Sequence, residues 1–596
     1  MIASSENLPV DPDRTAPDID AWKLFVFRKS RDLLSTVKLL QELRAEIGLQ
    51  TGGAGSTIDA LVRAGEIETG LADAGSPVAA RLALLVDQLA GAACGGRLAR
   101  APLLRQLEEA EVAAGLPPQI CCAHPEGFSY YGLHPLDFAD LAGRIHRDLG
   151  RRVLVVGIRS VGSTLGAVVA ASLRAHGKSA DRITVRPEGE PYLRHTTFDV
   201  AQLSWIALGV RQGADFLVVD EGPGFSGSTF RSVAQALVDA GVPPASIVLM
   251  GSRPFAQRPG MGHGESCELP ARFRSYVIDY GRHTPERAGR SLGDGEWREL
   301  FYPSRSRWPA CWIEQERIKY LSHNEKVFFK FEGFGRYSRL SHRQAAALAE
   351  AKFSPRIMRV ENGFAGYEFV RGRPLTCQDV NQTLLSRMAA YCAFRVKNFP
   401  ATNPDSVLLS NMTQVNLGVE FGLEDVPCNL PVERPVYPDC CMSPHEWLVT
   451  ADGQILKTDA VGHGEGHQLP GPADIAWDLA GAILEWKLSS GEAEFLLNEY
   501  QRLSGDSATL RVGPYLMSYS VFRMARCRMG AAAMGRRRDA RYLHRLYREY
   551  SQQVKEVLED ALAPAMLPQP SSCSSVPKPG SRQRNSPDIY NASTFD

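Results

Sequence analysis

The sequence predicts an α/β protein: a parallel sheet, with a helical extension before it and an α+β unit after it. Three observations predict this. Short apolar runs alternate with helical stretches between Val153 and Ser252, and strands alternating with helices mean a parallel sheet with right-handed crossovers. One of those runs, FLVVDEGPGFSGSTF from Phe216 to Phe230, ends in two acids and a loop of Gly, Pro and Ser. That is the shape of a ligand loop at a strand's carboxyl end. A second alternation begins at KVFFKFEG, Lys326 to Gly333.

A chain of 596 residues is long for one domain. The expected division is a polar, disordered tail over 1–20, a helical extension over 21–120, the parallel-sheet domain over 121–300, the α+β domain over 310–562, and a disordered tail over 563–596. Basic and acidic residues balance at 67 each, so no global field recruits nucleic acid. The 12 Cys show no CxxC spacing, only the adjacent pairs Cys121-Cys122 and Cys440-Cys441, which suit neither a zinc finger nor a stapled secreted module. No signal peptide and no membrane span are expected, because no apolar run reaches about 18 residues. A reducing cytoplasm is the default compartment, and small molecules are the expected partners.

From Trp22 the pattern turns helical, with Leu33, Val37, Leu40, Leu43 and Ile47 expected on one face. Gly52 to Ser56 breaks it, and Leu82, Leu85, Val86 and Leu89 mark a further helix. PEGFSYYGLHPLDF, Pro125 to Phe138, reads as an aromatic loop that either faces a ligand or plugs into the core. Strands follow at Val153–Ile158, Arg182–Pro187, Phe216–Asp220 and Ser246–Ser252, with helices from Arg159–Gly166 to His176 and from Phe230 to Ala240. Gly260 to Pro309, rich in Gly, Arg and Pro, reads as a linker, with a boundary near 300. Beyond it come the strand at Lys326–Gly333, a helix through Gln344–Ala351, GYEFVRGRPL (Gly366–Leu375), and a helix over 384–396. The C-terminal helix has Tyr542, Leu546, Tyr550, Val554 and Val557 on one face.

Asp220 and Glu221 close a buried strand, and Ser228-Thr229 open a helix whose N-terminal amides face the same spot. Such a site fits a sugar phosphate, with carboxylates for ribose hydroxyls and amides for phosphate. FLVVDEGPGFSGSTF resembles the motif by which type I phosphoribosyltransferases bind phosphoribosyl pyrophosphate (PRPP), and Ser226-Gly227-Ser228-Thr229 matches its ending. VGIRSVGSTLG resembles that family's pyrophosphate loop. The resemblance spans about residues 120–260 and departs from the motif by one extra loop residue near Pro223-Gly224. It implies a glycosyltransferase site with Mg²⁺ and PRPP as co-substrate. Asp220 and Glu221 would hold the ribose. Arg159, Ser160, Val161, Gly162 and Ser163 would face pyrophosphate. Gly224, Phe225, Ser226, Gly227, Ser228 and Thr229 would hold the 5′-phosphate. Arg186, Tyr192 and Arg194 are its hood-loop candidates.

The second half resembles the aminoglycoside and choline phosphotransferase group of kinases over about residues 315–560. The resemblance implies ATP and Mg²⁺. It casts Lys330 as the phosphate-steadying lysine and Glu350 as its helix partner. Asp459 would be the magnesium ligand and Asp478 the structural capping acid. In PDCCMSPHEWLV, Asp439 takes the place of the base and Glu446 of a second metal ligand at altered spacing. The Asn expected after the base is missing, as is a Gly-rich loop before Lys330. His445, His463 and His467 with Asp459 and Glu465 offer an alternative metal site. The whole chain then reads as a phosphoribosyltransferase acting on a nitrogenous acceptor, fused to a kinase-like domain. The competing class is a non-catalytic PRPP or nucleotide sensor.

Overall fold

The computed structural model describes residues 19–26, 31–48, 54–189, 193–223, 227–255, 272–402, 404, 406–423, 426, 428–462, 470–535 and 537–562. Both expected disordered tails fall almost wholly outside these residues.

The N-terminal extension is helical but is closed by a strand pair. Strand β1 (Arg31–Ser35) leads into α1 (Thr36–Gly48), α2 (Ala54–Asp73), α3 (Ala79–Ala93) and α4 (Arg100–Glu111), and β2 (Gln119–Ala123) returns antiparallel to β1. Leu33 and Val37, expected on the buried face, are exposed, since Leu33 lies on the edge ladder rather than a helix. The buried face of α1 is Leu39, Leu40, Leu43 and Ile47. In α3 the expected stripe of Leu82, Leu85, Val86 and Leu89 is buried.

Next come α5 (Glu126–Ser129), α6 (Pro135–Ile145) and the parallel unit β3 (Arg152–Ile158), α7 (Val161–Ala175), β4 (Ser179–Val185), α8 (Val200–Arg211), β5 (Asp215–Val219), α9 (Ser228–Asp239), β6 (Ile247–Gly251) and β7 (Arg274–Val277). The strands lie in the order β4-β3-β5-β6-β7, all parallel. Their unbroken apolar runs follow from burial on both faces. Val153, Val155, Leu217 and Val219 face α7 and the N-terminal helices. Leu154, Val156, Phe216 and Val218 face α8 and α9.

The Gly, Arg and Pro-rich stretch is not only a linker. Strand β7 lies within it, and so does β8 (Ala288–Ser291), which pairs with β9 (Lys319–Ser322). The second sheet therefore starts before residue 300. With β10 (Val327–Phe331), β11 (Ile357–Glu361) and β12 (Phe364–Glu368) it forms an antiparallel sheet ordered β11-β12-β10-β9-β8, with α10 (Arg336–Glu350) beside it. Phe329, Phe331, Phe334 and Phe364 share one apolar core with the first half.

The remainder is mostly helical: α11 (Gln382–Asn398), α12 (Ser406–Phe421), α13 (Ala476–Glu485), α14 (Ser490–Ser504), α15 (Thr509–Met534) and α16 (Arg538–Leu562). Short strands β13 (Arg373–Pro374), β14 (Pro435–Val436), β15 (Trp447–Val449), β16 (Ile455–Lys457) and β17 (Ala473–Asp474) lie among them. Leu24 and Val26 pack into this distant core, where Asn416 bonds both the amide and the carbonyl of Phe25 at 2.7 Å. Among the described residues no helix is long and apolar enough to cross a membrane.

Candidate functional site

Two acidic clefts can be built from the residues upward. The first lies at the carboxyl ends of β3 and β5. The strand order reverses direction there, with α7 leaving to one face and α9 to the other, the arrangement in which parallel sheets open a ligand crevice between the outgoing loops.

Glycine lets the first loop close onto the sheet. A Cβ on Gly157 would lie 2.2 Å from the Gly162 carbonyl oxygen, and one on Gly162 would lie 2.7 Å from the Val219 carbonyl oxygen. The start of α7 is thereby drawn over the end of β5. Ser160, just before it, holds φ 103°, a strained conformation for a residue with a Cβ. Ser163 turns its hydroxyl away from the crevice, to Thr69 on α2 at 2.8 Å, so only its amide is available. Opposite, Gly227 at φ 64° caps α9, and its amide reaches the Pro223 carbonyl at 2.8 Å. Ser228 is buried and Thr229 half-buried at the helix start. Gly224, Phe225 and Ser226 lie outside the described residues.

Asp220 and Glu221 sit between these loops. Burial pushes the Asp220 carboxyl up to about 7, against the amide of Glu221 and the charge of Arg186. Burial, with Glu126 and Asp220 nearby, pushes Glu221 up to about 8. Glu221 Oε2 accepts the Gly127 amide at 3.0 Å. Among the described residues neither carboxylate lies in a salt bridge, and the charges of Arg186 and Arg253 offset burial only in part.

Arg159 and Arg186 stand together beside the first loop. Asp73, the last residue of α2, accepts from Arg159 Nη1 at 3.1 Å and from Arg186 Nε at 3.1 Å and Nη2 at 2.5 Å. Arg186 Nη1 also donates to the Arg159 carbonyl at 2.9 Å. Of the hood candidates, Arg186 reaches the crevice. Arg194 does not, because its guanidinium donates to the Gly189 carbonyl at 2.6 Å on its own loop. Tyr192 lies outside the described residues. No sequence signal pointed to Asp73.

The second cleft lies between the antiparallel sheet and the helical part. It encloses a cavity of about 280 Å³, at the low end of small-ligand pockets (roughly 300–1,000 Å³). Lys330 on β10 and the Glu446 and Asp459 loops line it, and Trp297 and Tyr130 reach in from the preceding segments. Trp297 stacks on His445 at 6.1 Å between centroids. Burial holds the His445 imidazole at about 4, so it stays neutral.

Several expectations change here. Glu350 is exposed at the end of α10 and does not partner Lys330. Lys330 Nζ bonds Asp459 Oδ1 and the Val461 carbonyl (3.1 Å), with Glu332 at 3.8 Å. Asp439 does not fit the role of a base. It is wholly buried, accepts the Tyr391 hydroxyl on one oxygen, and on the other meets the Cys441 amide at 3.2 Å and Lys457 Nζ at 3.3 Å. Asp478 holds the amides of Asp439 and Cys440 at 2.8 and 2.9 Å, tying down that loop rather than capping its own helix.

Lys457, which sequence reasoning passed over, is wholly buried on β16. Its Nζ lies 2.7 Å from Glu446 Oε2 and also bonds the Asp459 carbonyl. Burial opposes its charge, yet Asp439, Glu446 and Asp459 outweigh that and hold the ammonium above its ordinary range. The one legible hint was a lysine beside apolar strand residues, two positions before Asp459. Glu446 and Asp459 are therefore matched with ammonium groups, and a Mg²⁺ ion does not fit between them. Of the alternative metal set, His463, Glu465 and His467 lie outside the described residues. Among the described residues no group of three or more His, Cys, Asp or Glu is arranged to hold a metal.

The aromatic stretch at 125–138 joins the two clefts. Phe128 and Phe138 are buried in the core. The Tyr130 hydroxyl donates to the Gln315 carbonyl at 2.7 Å, and that of Tyr131 bonds Gln315 Oε1 at 2.8 Å.

No family model and no curated protein sequence matches the chain. Among solved structures, part of it is similar to a choline kinase from Streptococcus pneumoniae, at 12% identity and TM-score 0.30, covering 40% of this chain and 89% of that one. An ethanolamine kinase from Plasmodium vivax is similar at 12% identity and TM-score 0.28, covering 39% and 78%. The GDP complex of aminoglycoside 2′-phosphotransferase-IIIa is similar at 13% identity and TM-score 0.27, covering 41% and 90%. At these scores the likeness carries no argument about what this chain does.

Proposed function

We propose that the first cleft binds PRPP and transfers ribose 5-phosphate to a nitrogenous acceptor, and that the second is a kinase-like nucleotide cleft. One observation carries the first part: a half-buried acid pair, in no salt bridge among the described residues, lies between two helix-opening loops at the sheet's switch point. In this reading the acceptor's nitrogen lone pair forms a bond to the anomeric carbon. The bond from that carbon to the pyrophosphate oxygen breaks, and pyrophosphate leaves with the electron pair.

Asp220 and Glu221 accept hydrogen bonds from the ribose hydroxyls and favour the positive charge that develops on the ring. The amides opening α9, with Ser228 and Thr229, hold the 5′-phosphate. The amides of Ser160 to Ser163, with Arg159 and Arg186, hold the pyrophosphate. Asp220 and Glu221, as hard oxygen donors, would hold a Mg²⁺ ion, which would supply charge neutralisation for the leaving pyrophosphate. No protein nucleophile is required.

A second reading, a non-catalytic PRPP sensor, is favoured by three hydrogen bonds that link the clefts. Glu221 holds Gly127, and the same loop grips Gln315 at the second cleft through Tyr130 and Tyr131. Incubation of the full chain with PRPP, Mg²⁺ and a panel of nitrogenous acceptors separates the two. Acceptor-dependent release of pyrophosphate supports the transferase. Tight PRPP binding with no release across the panel supports the sensor, and no PRPP binding at all rejects both.

A further inference from the structure

The acids a divalent cation would use in the second cleft are already matched with ammonium groups. Lys457 lies against Asp439 and Glu446, and Lys330 against Asp459. A cation entering between Glu446 and Asp459 must take carboxylates from two buried ammonium groups, leaving Lys330 the Val461 carbonyl and Glu332 at 3.8 Å, and Lys457 the Asp439 carboxylate and the Asp459 carbonyl, which is unfavourable. Phosphoryl transfer relies on metal ions bridging the phosphates and on a base reaching the acceptor hydroxyl. Here Asp439, the base candidate, has no exposure and both oxygens engaged.

Among the described residues two arginines of the cavity wall make no ion pair; Arg317 spends Nη1 and Nη2 on the carbonyls of Phe331 and Gly462 at 3.2 and 2.8 Å, which leaves Arg526 for a ligand. Arg526 on α15 lines the cavity, rests over Trp312 at 5.5 Å, and makes no ion pair among the described residues. A planar guanidinium of this kind matches phosphate oxygens in a fork.

Resting on the reading of this cleft as a nucleotide site, we infer that it binds a nucleoside diphosphate without a divalent cation, seats a phosphate on Arg526, and does not transfer phosphate. Lys330 and Lys457 offset the carboxylates that a metal would otherwise neutralise. The cleft then works as a ligand-responsive element rather than as a second active centre.

The test is calorimetric titration of the full-length protein with ADP, in EDTA and again in excess Mg²⁺. The expected dissociation constant in EDTA is equal to or smaller than that in Mg²⁺. Arg526→Gln should weaken ADP binding by about tenfold in both buffers, the worth of a lost charge-assisted phosphate contact. Lys457→Met should create a divalent-cation requirement. Because that variant leaves buried carboxylates unpartnered and can fail to fold, the wild-type pair of titrations stands as the deciding measurement. Binding at least about tenfold tighter in Mg²⁺, or Mg²⁺-dependent loss of the γ-phosphate from ATP, overturns the inference and leaves the nucleotide reading standing. No ADP binding in either buffer removes the nucleotide reading itself.

Discussion

The two acidic clefts treat buried negative charge in opposite ways. At Asp220 and Glu221 burial outweighs the nearby arginines, and both carboxyls are held far above the ordinary carboxylate range, at about 7 and about 8. At Asp439, Glu446 and Asp459 the same desolvation is offset within the fold by Lys457 and Lys330. Acids without matching cations are poised to accept a ligand that brings positive charge or hydrogen-bond donors. Acids matched to lysines are already satisfied and serve to hold a loop. Acidic residues in a cleft therefore do not by themselves mark a metal site; the cations packed among them decide.

The largest effect that breaks this contrast is removal of the acids of the first cleft. Asp220→Asn with Glu221→Gln should lower PRPP affinity or turnover by about 10²–10³-fold, the scale of a lost preorganised electrostatic contact. Unchanged PRPP handling would remove the site assignment.

A pH series sharpens the same contrast. Ribose hydroxyls and developing positive charge favour the ionised carboxylates, which form as pH rises through about 7 and about 8. PRPP affinity should rise with pH across that window and fall by about tenfold per unit below it when one proton must be lost. ADP affinity should be flat there, since the Lys457 ammonium is held above its ordinary range. A parallel rise for ADP would mean that the two clefts are not distinguished in this way.

A smaller effect is expected at Asp73. It occupies Arg159 and Arg186 together, so Asp73→Asn should free both guanidiniums and tighten pyrophosphate binding by roughly three- to tenfold at low salt, less at high salt. Weaker binding would show that Asp73 positions the arginines rather than competing for them. The smallest effect belongs to Glu350. Exposed at its helix end, its change to Ala should shift stability by no more than about 0.5 kcal/mol by denaturant unfolding. A larger loss would restore it as a partner of Lys330.

The parallel sheet was legible because β3 to β6 are short apolar runs with helices between them, a pattern that local sequence carries. Asp220 and Glu221 were legible for the same reason, as acids where such a run stops. What escaped was set by distance. β1 reads as helix until Gln119–Ala123 returns to pair with it, and β7 and β8 are specified by neighbouring strands rather than by their own Gly- and Arg-rich composition. Lys457 escaped because a charged residue in a short strand normally faces water. Only the meeting of Asp439, Glu446 and Asp459 around it makes burial tolerable. Glu350 was misplaced because helix periodicity fixes a face but not which residue on that face reaches the strand lysine.

On the proposed reading of the two clefts, only the first needs a cation brought in with its ligand. The most direct test is calorimetric titration of PRPP into the full-length protein in Mg²⁺ and again in EDTA. Binding in Mg²⁺ should be lost or weakened by at least about tenfold in EDTA. Equal affinity in the two buffers, or no binding in either, would contradict that reading.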